Sequence, residues 1–221
     1  SIVDCVTSLG ACNVPVDEWQ LDIVASGSQK GYMIPPGLSF ITMSQKAWEA
    51  TERSNLPKFY LNLKPYKKSL LSNSNPYTPA VNLVFALDEA LKMMREEGLE
   101  NIFLRHNKHK LAISNAVKVL DLKLFANEKY LSPSVTAIKT GDMDAEEFRK
   151  IIKNKFDILL AGGQDHLKGK IFRVGHLGYI NDRDIITVIS AIGSTLLHLG
   201  KITTQQSGEA LEVASNYLKS N

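Results

Sequence analysis

Three ionisable residues stand where apolar chain stops or is interrupted. Lys30 ends Ser26-Gly27-Ser28-Gln29-Lys30, directly after the apolar run 21–25. That run reads as a buried strand, and the residues after it as a loop at the strand's C-terminal edge. Open α/β sheets place their ligands at that edge. Pro35, Pro36 and Gly37 pin the loop. A lysine amine attacks a carbonyl carbon only as the free base, so a lone lysine delivered there is a candidate Schiff-base residue. Asp4 closes a second short apolar run, Ile2-Val3, and is a candidate partner for a cofactor cation. Arg173 interrupts Ile171-Phe172-Arg173-Val174. An arginine in an apolar strand needs a partner, and its planar fork suits a carboxylate. Spacing alone leaves plainer readings open: a surface lysine, a turn aspartate and a structural salt bridge.

The segments VDCVTSLG (3–10), LDIVASGSQKGYMIPPG (21–37) and KIFRVGHLGYINDRDI (170–185) together resemble the class V, fold type I pyridoxal-phosphate aminotransferases. The nearest likeness is to the alanine–glyoxylate and serine–pyruvate group, in its cyanobacterial-type form, and it runs from Ile2 to about Gly200. The resemblance implies an α/β fold. Residues 1–98 would be the C-terminal half of the large cofactor domain, with a mostly parallel sheet. Residues 99–221 would be a small α+β C-terminal domain. It implies pyridoxal 5'-phosphate as cofactor, and transfer of an amino group between alanine or serine and glyoxylate or pyruvate. Lys30 matches the lysine that holds the cofactor and moves the α-proton. Asp4 matches the carboxylate that keeps the ring nitrogen protonated, and Val6 would pack against the ring. Arg173, in Arg173-Val174-Gly175, matches the grip on the substrate α-carboxylate. Gln29 matches a phosphate contact. Thr78 matches a threonine that reaches the neighbouring subunit's phosphate, which implies a homodimer. Some members carry a phosphate-binding tyrosine three residues before that threonine. Here the position is Asn75, which can still bond phosphate, and Tyr77 does not inherit the role. His176 either shapes the site or packs in the core.

The family's Ser/Gly phosphate turn and its ring-stacking aromatic lie upstream of the Asp4 motif, so the chain is expected to start inside a domain. No signal peptide is visible at its start, and the expected location is the cytoplasm. A second reading is a non-catalytic fragment or interaction subunit lacking half of the cofactor cradle. A cysteine desulfurase would need a mobile thiol in the C-terminal half, whereas both cysteines, Cys5 and Cys12, lie in the first twelve residues.

Composition bounds these readings. The chain has 221 residues with 44% hydrophobic content, enough for one large domain or two smaller ones. A net charge of +3 with scattered basic residues does not argue for nucleic acid. Lys64–Lys68 is the densest basic run and reads as solvated surface. No apolar stretch approaches membrane-span length. Some family relatives carry an old soluble-hydrogenase label, but two cysteines supply too few ligands for an iron–sulfur or nickel centre.

The remaining elements follow from periodicity and caps. Leu38–Met43 reads as a strand, and Ser44 caps a helix to about Arg53 with Trp48 inward. Residues 55–75 read as irregular. Thr78-Pro79 opens a helix that Gly98 ends. Leu99–Leu120 reads as a second helix, with His106 and His109 on an exposed basic face. Strands at 122–125, 135–138, 156–160 and 170–174, with helices at 144–153 and 181–199, compose a small sheet with helices on one side. Gly162–Lys170 looks like a P-loop but fails on spacing and on the residue after the lysine. The tail GEALEVASNYLK reads as an amphipathic helix that docks back or frays.

Overall fold

The computed structural model describes residues 1–219. They form two compact units, one of Ser1–Leu9 with Val14–Glu96, the other of Gly10–Asn13 with the chain from Glu97 on.

The first unit is built on three strands, β1 (Ile2–Asp4), β2 (Ile23–Gly27) and β3 (Ser39–Met43), in that order across the sheet. β1 runs parallel to β2 with Asp4 beside Ala25, and β3 runs antiparallel with Ser39 beside Gly27. The C-terminal ends of β1 and β2 therefore share one edge. α1 (Gln45–Arg53) starts where expected, because Ser44 Oγ accepts the Ala47 N–H at 3.1 Å. Residues 55–75 are not irregular throughout: α2 (Leu63–Leu71) lies among them, capped by Asn62. Pro65 falls in its first turn, where a missing N–H costs nothing. The basic run is thus helical, and Lys67 lies over the Trp48 ring at 4.4 Å. α3 (Val81–Glu97) begins later than the Thr78-Pro79 signal, after a tight turn in which the Val81 N–H bonds Pro79 O at 3.0 Å.

The second unit contains α4 (Leu99–Val119), β4 (Lys123–Leu124), β5 (Val135–Lys139), α5 (Ala145–Phe156), β6 (Ala161–Gly162), β7 (Ile171–Gly175), α6 (Asp182–His198) and α7 (Thr204–Lys219). The strands form an antiparallel sheet in the order β4-β5-β7-β6. Alternation along β5 and β7 sends Ile138, Phe172 and Val174 into a core shared with α4, α5, α6 and α7. Arg173 lies on the other face. Residues 156–160 form no strand. α5 runs on to Phe156, Asp157 turns in the left-handed region at φ 54°, and Leu160 enters the core from a connection before β6. A short apolar run fits a strand and a buried connection equally well. The tail helix docks, with Ala210, Ala214 and Leu218 buried.

His106 and His109 are not on an exposed face: both are fully buried. They extend the buried stripe of α4 that holds Ile102, Ala112, Ile113 and Ala116. The charges of Arg105, Lys108 and Lys110 masked that stripe in the sequence.

Candidate active site

The Lys30 loop is fixed from beneath by Ser28. This side chain is wholly buried; it donates from Oγ to Pro35 O at 2.7 Å and accepts the Leu38 N–H at 3.2 Å. Its own N–H bonds Leu38 O, and its carbonyl takes the Ile34 N–H. The loop between is closed by the Met33 N–H on Lys30 O at 3.0 Å and by Tyr32 packed on Phe40, ring centroids 4.7 Å apart. Gly37 has φ 143°, and a Cβ there would stand 2.5 Å from Leu83 Cδ1, so the Pro-Pro-Gly signal marks a position only glycine fills. Lys30 emerges half-buried, and its Nζ makes no hydrogen bond or ion pair among the described residues. Gln29 is exposed and folds back over Gly27.

Asp4 reaches the same edge from β1. Its side chain is exposed, and Oδ1 accepts the Val6 N–H at 2.9 Å. Val6 is half-buried. Cys5, next in the chain, is buried under the edge, where burial and then the Asp4 carboxylate push its thiol up. It packs as a small apolar group. Asn75 and Thr78 lie before α3, both exposed, lining an open depression in residues 73–79. Among the described residues the Thr78 hydroxyl caps no helical N–H.

Arg173 belongs to the second unit. Ala137 of β5 and Ala161 of β6 flank it in register. No carboxylate pairs with it among the described residues; instead Nε donates to Gly162 O at 2.9 Å. His176, three residues on, is fully buried, with Nε2 2.9 Å from Thr136 Oγ1 and no partner for Nδ1. His106 Nδ1 meets Ile102 O at 2.7 Å, while its Nε2 accepts the Gly178 N–H at 3.2 Å. One nitrogen faces an acceptor and the other a donor, so His106 is neutral with its proton on Nδ1. His109 Nε2 bonds Asp182 Oδ1 at 2.9 Å. These contacts tie the chain after Arg173 to α4, which sequence reading missed because the partners are more than seventy residues apart. Among the described residues no cluster of His, Cys, Asp and Glu is arranged to hold a metal ion. A cavity of the second unit, about 890 Å³, is lined by residues that include Arg105, Lys108, Asp182 and Arg183 and includes none of the expected site residues.

Residues 1–186 match the family model described as aminotransferase class-V. The chain belongs to the class-V aminotransferases. A soluble hydrogenase small subunit from Synechococcus sp. (strain PCC 6716) is 54% identical over 217 residues, 98% of this chain and 56% of that relative. A serine–glyoxylate aminotransferase from Methylorubrum extorquens is 36% identical over 226 residues, 99% of this chain and 56% of that relative. The crystal structure of ureidoglycine–glyoxylate aminotransferase from Bacillus subtilis aligns with a TM-score of 0.90 at 30% identity, over 99% of this chain and 57% of that one. The chain spans about half the length of the curated relatives it matches.

Class-V aminotransferases are fold type I enzymes with pyridoxal phosphate as cofactor. The residues described here fit that group: an amine with no partner among the described residues and an exposed carboxylate oriented by a backbone N–H share a sheet edge. No helix among the described residues is long and apolar enough to cross a membrane.

Proposed function

We propose that this chain carries the lysine-bearing half of the site of a transaminase that moves an amino group between alanine or serine and glyoxylate or pyruvate. One observation carries the reading: β1 and β2 are parallel neighbours, so Asp4 and the Lys30 loop leave the sheet at the same edge. Pyridoxal phosphate, when bound, supplies an electron sink for the charge released at the substrate α-carbon. Lys30 holds the cofactor and moves the α-proton with its Nζ. Asp4, oriented by the Val6 N–H, holds the ring-nitrogen proton through Oδ2, and Val6 packs beside it. Gln29, Thr78 and Asn75 bond phosphate, Thr78 from a second copy of the chain in a homodimer. Arg173 grips the substrate carboxylate. Residues 1–98 then belong to the large cofactor domain and 99–221 to the small one.

The test is to incubate the chain with pyridoxal phosphate, reduce with borohydride and map the modified lysine by mass spectrometry. Label concentrated on Lys30 and lost in Lys30→Ala is the expected result. Label spread over surface lysines and unchanged by the substitution would mean that this chain alone does not assemble the site, as expected of a non-catalytic fragment.

A further inference from the structure

Arg173 is held by groups that no sequence signal marks. A guanidinium offers two bidentate edges, one side-on through Nε and an Nη, the other end-on through both Nη groups. Gly162 O takes Nε, so the side-on edge is spent and the end-on fork is open. Gly162 lies in β6, an edge strand of only two residues. That strand is braced from α5. Arg149 donates Nε to Leu160 O at 2.8 Å and Nη1 to Glu146 Oε2 at 2.5 Å. The same pair fills the place of a side chain on Gly162, where a Cβ would stand 2.6 Å from both Arg149 Nη1 and Glu146 Oε1. Gly162 does not have a left-handed backbone, so a side chain there would meet no backbone strain but would have to displace the Glu146–Arg149 pair.

We propose that Glu146, Arg149 and Gly162 form a strut that sets Arg173 for end-on capture of a planar carboxylate. The Gly162 carbonyl is the group that orients the guanidinium, and the Glu146–Arg149 pair is a positioning device acting through it. Ala137 and Ala161, flanking Arg173 in register, leave the fork room on the open face. The proposal rests on the reading of Arg173 as the carboxylate grip, so the test separates the two.

The full 221-residue chain is labelled with ¹⁵N-arginine, and hydrogen exchange at the Nε–Hε groups is followed by NMR, with Arg173→Lys assigning the Arg173 signal. The Arg173 Nε–Hε is expected to exchange at least about tenfold more slowly than those of the exposed Arg53 and Arg183, as a bonded donor does. Gly162→Ala and Arg149→Lys should each erase that protection while core amides such as those of Phe172 and Ile138 stay protected. Glu146→Gln, which keeps an acceptor for Arg149, should retain it, and Arg149→Lys decides the question if Gly162→Ala loses the core amides as well. Protection that survives both Gly162→Ala and Arg149→Lys overturns the strut. Pyruvate added to the wild-type chain should shift the Arg173 Nη signals and leave Nε–Hε protected. Release of Nε–Hε by pyruvate overturns end-on capture. Absence of any pyruvate shift that depends on Arg173 overturns the carboxylate reading itself, with the strut still decided by exchange.

Discussion

A buried imidazole with an unpartnered nitrogen is a costly residue, and His176 is one. Enclosure pushes it down to about 3, and the neighbouring His109 and His106 push it in the same direction. His106 and His109 are also lowered, burial being the largest cause in each. Arg105 and Lys108 oppose their charging, whereas Asp182 and Glu97 favour it. The unfolded chain takes up these protons first, near the ordinary histidine value. The stability due to His176 is therefore whole above about pH 6.5 and is lost as the pH falls toward 3, at about 1.4 kcal/mol per pH unit. Over that window the loss is on the order of a few kcal/mol. Both tryptophans, Trp19 and Trp48, lie in the first unit, so their fluorescence does not report on this loss. Far-UV circular dichroism, dominated by α4 to α7, does. On acidification the dichroism should fall before the fluorescence changes. His176→Gln, which can bond Thr136 but cannot titrate, should move the dichroism midpoint down by about one pH unit. An unmoved midpoint would show that His176 does not set the acid limit. At this scale the sequence was legible in placement: Asp4 ends a strand, Lys30 follows one and Arg173 lies within one. It was not legible at Ser28 or Gly162, whose roles arise from bonds to Pro35, Leu38 and Arg173 that only the folded chain brings close. It misled at His106 and His109, because burial of a histidine depends on what packs over it.

Elements were legible where local chemistry sets their start. Ser44, Asp144 and Asn181 each accept backbone N–H groups of the first helical turn, and Asn181 completes a capping box with Asp184. Asn181→Ala should cost about 1 kcal/mol in the urea stability of the second unit. Elements were illegible where two readings fit the same letters, as for α2 behind Pro65 and for the run 156–160. The turn after β6 shows a different limit. Gly163 reads as generic loop glycine, yet a Cβ there would stand 2.1 Å from Leu167 O, a backbone atom that cannot swing aside. Gly200, at φ 67° with nothing within 4 Å of its Cβ position, carries backbone strain alone. Gly163→Ala should therefore destabilise the second unit by about 2–3 kcal/mol, against about 1–2 kcal/mol for Gly200→Ala. Thermal melts followed by dichroism rank the two. The opposite order would mean that the 163–170 loop opens without cost.

At the scale of the whole molecule, the first unit leaves several large apolar side chains exposed. Leu70 and Leu71 of α2 are 75% and 84% exposed, and Val81, Val84 and Phe85 at the start of α3 are all exposed, Phe85 at 71%. Val81, Val84 and Phe85 fall at helical spacing on one face, directly after Thr78. An exposed apolar helix face of this kind suits an interface, and on α3 it follows directly on the threonine that the proposed function assigns to a second copy's phosphate. Periodicity did not single this face out: Leu83, Leu87, Leu91 and Met94 also recur at helical spacing along α3. A second copy seated on this face predicts two coupled effects. Phe85→Glu should turn a dimer into a monomer by light scattering, because a carboxylate buried at the interface without a partner costs several kcal/mol. The same substitution should weaken retention of pyridoxal phosphate by about as much as Thr78→Val, since either one removes the same hydroxyl from the neighbouring site. The Thr78→Val chain should remain dimeric. Loss of the dimer without loss of cofactor retention would detach Thr78 from the phosphate. An unchanged mass for Phe85→Glu would assign the α3 face to something other than a second copy.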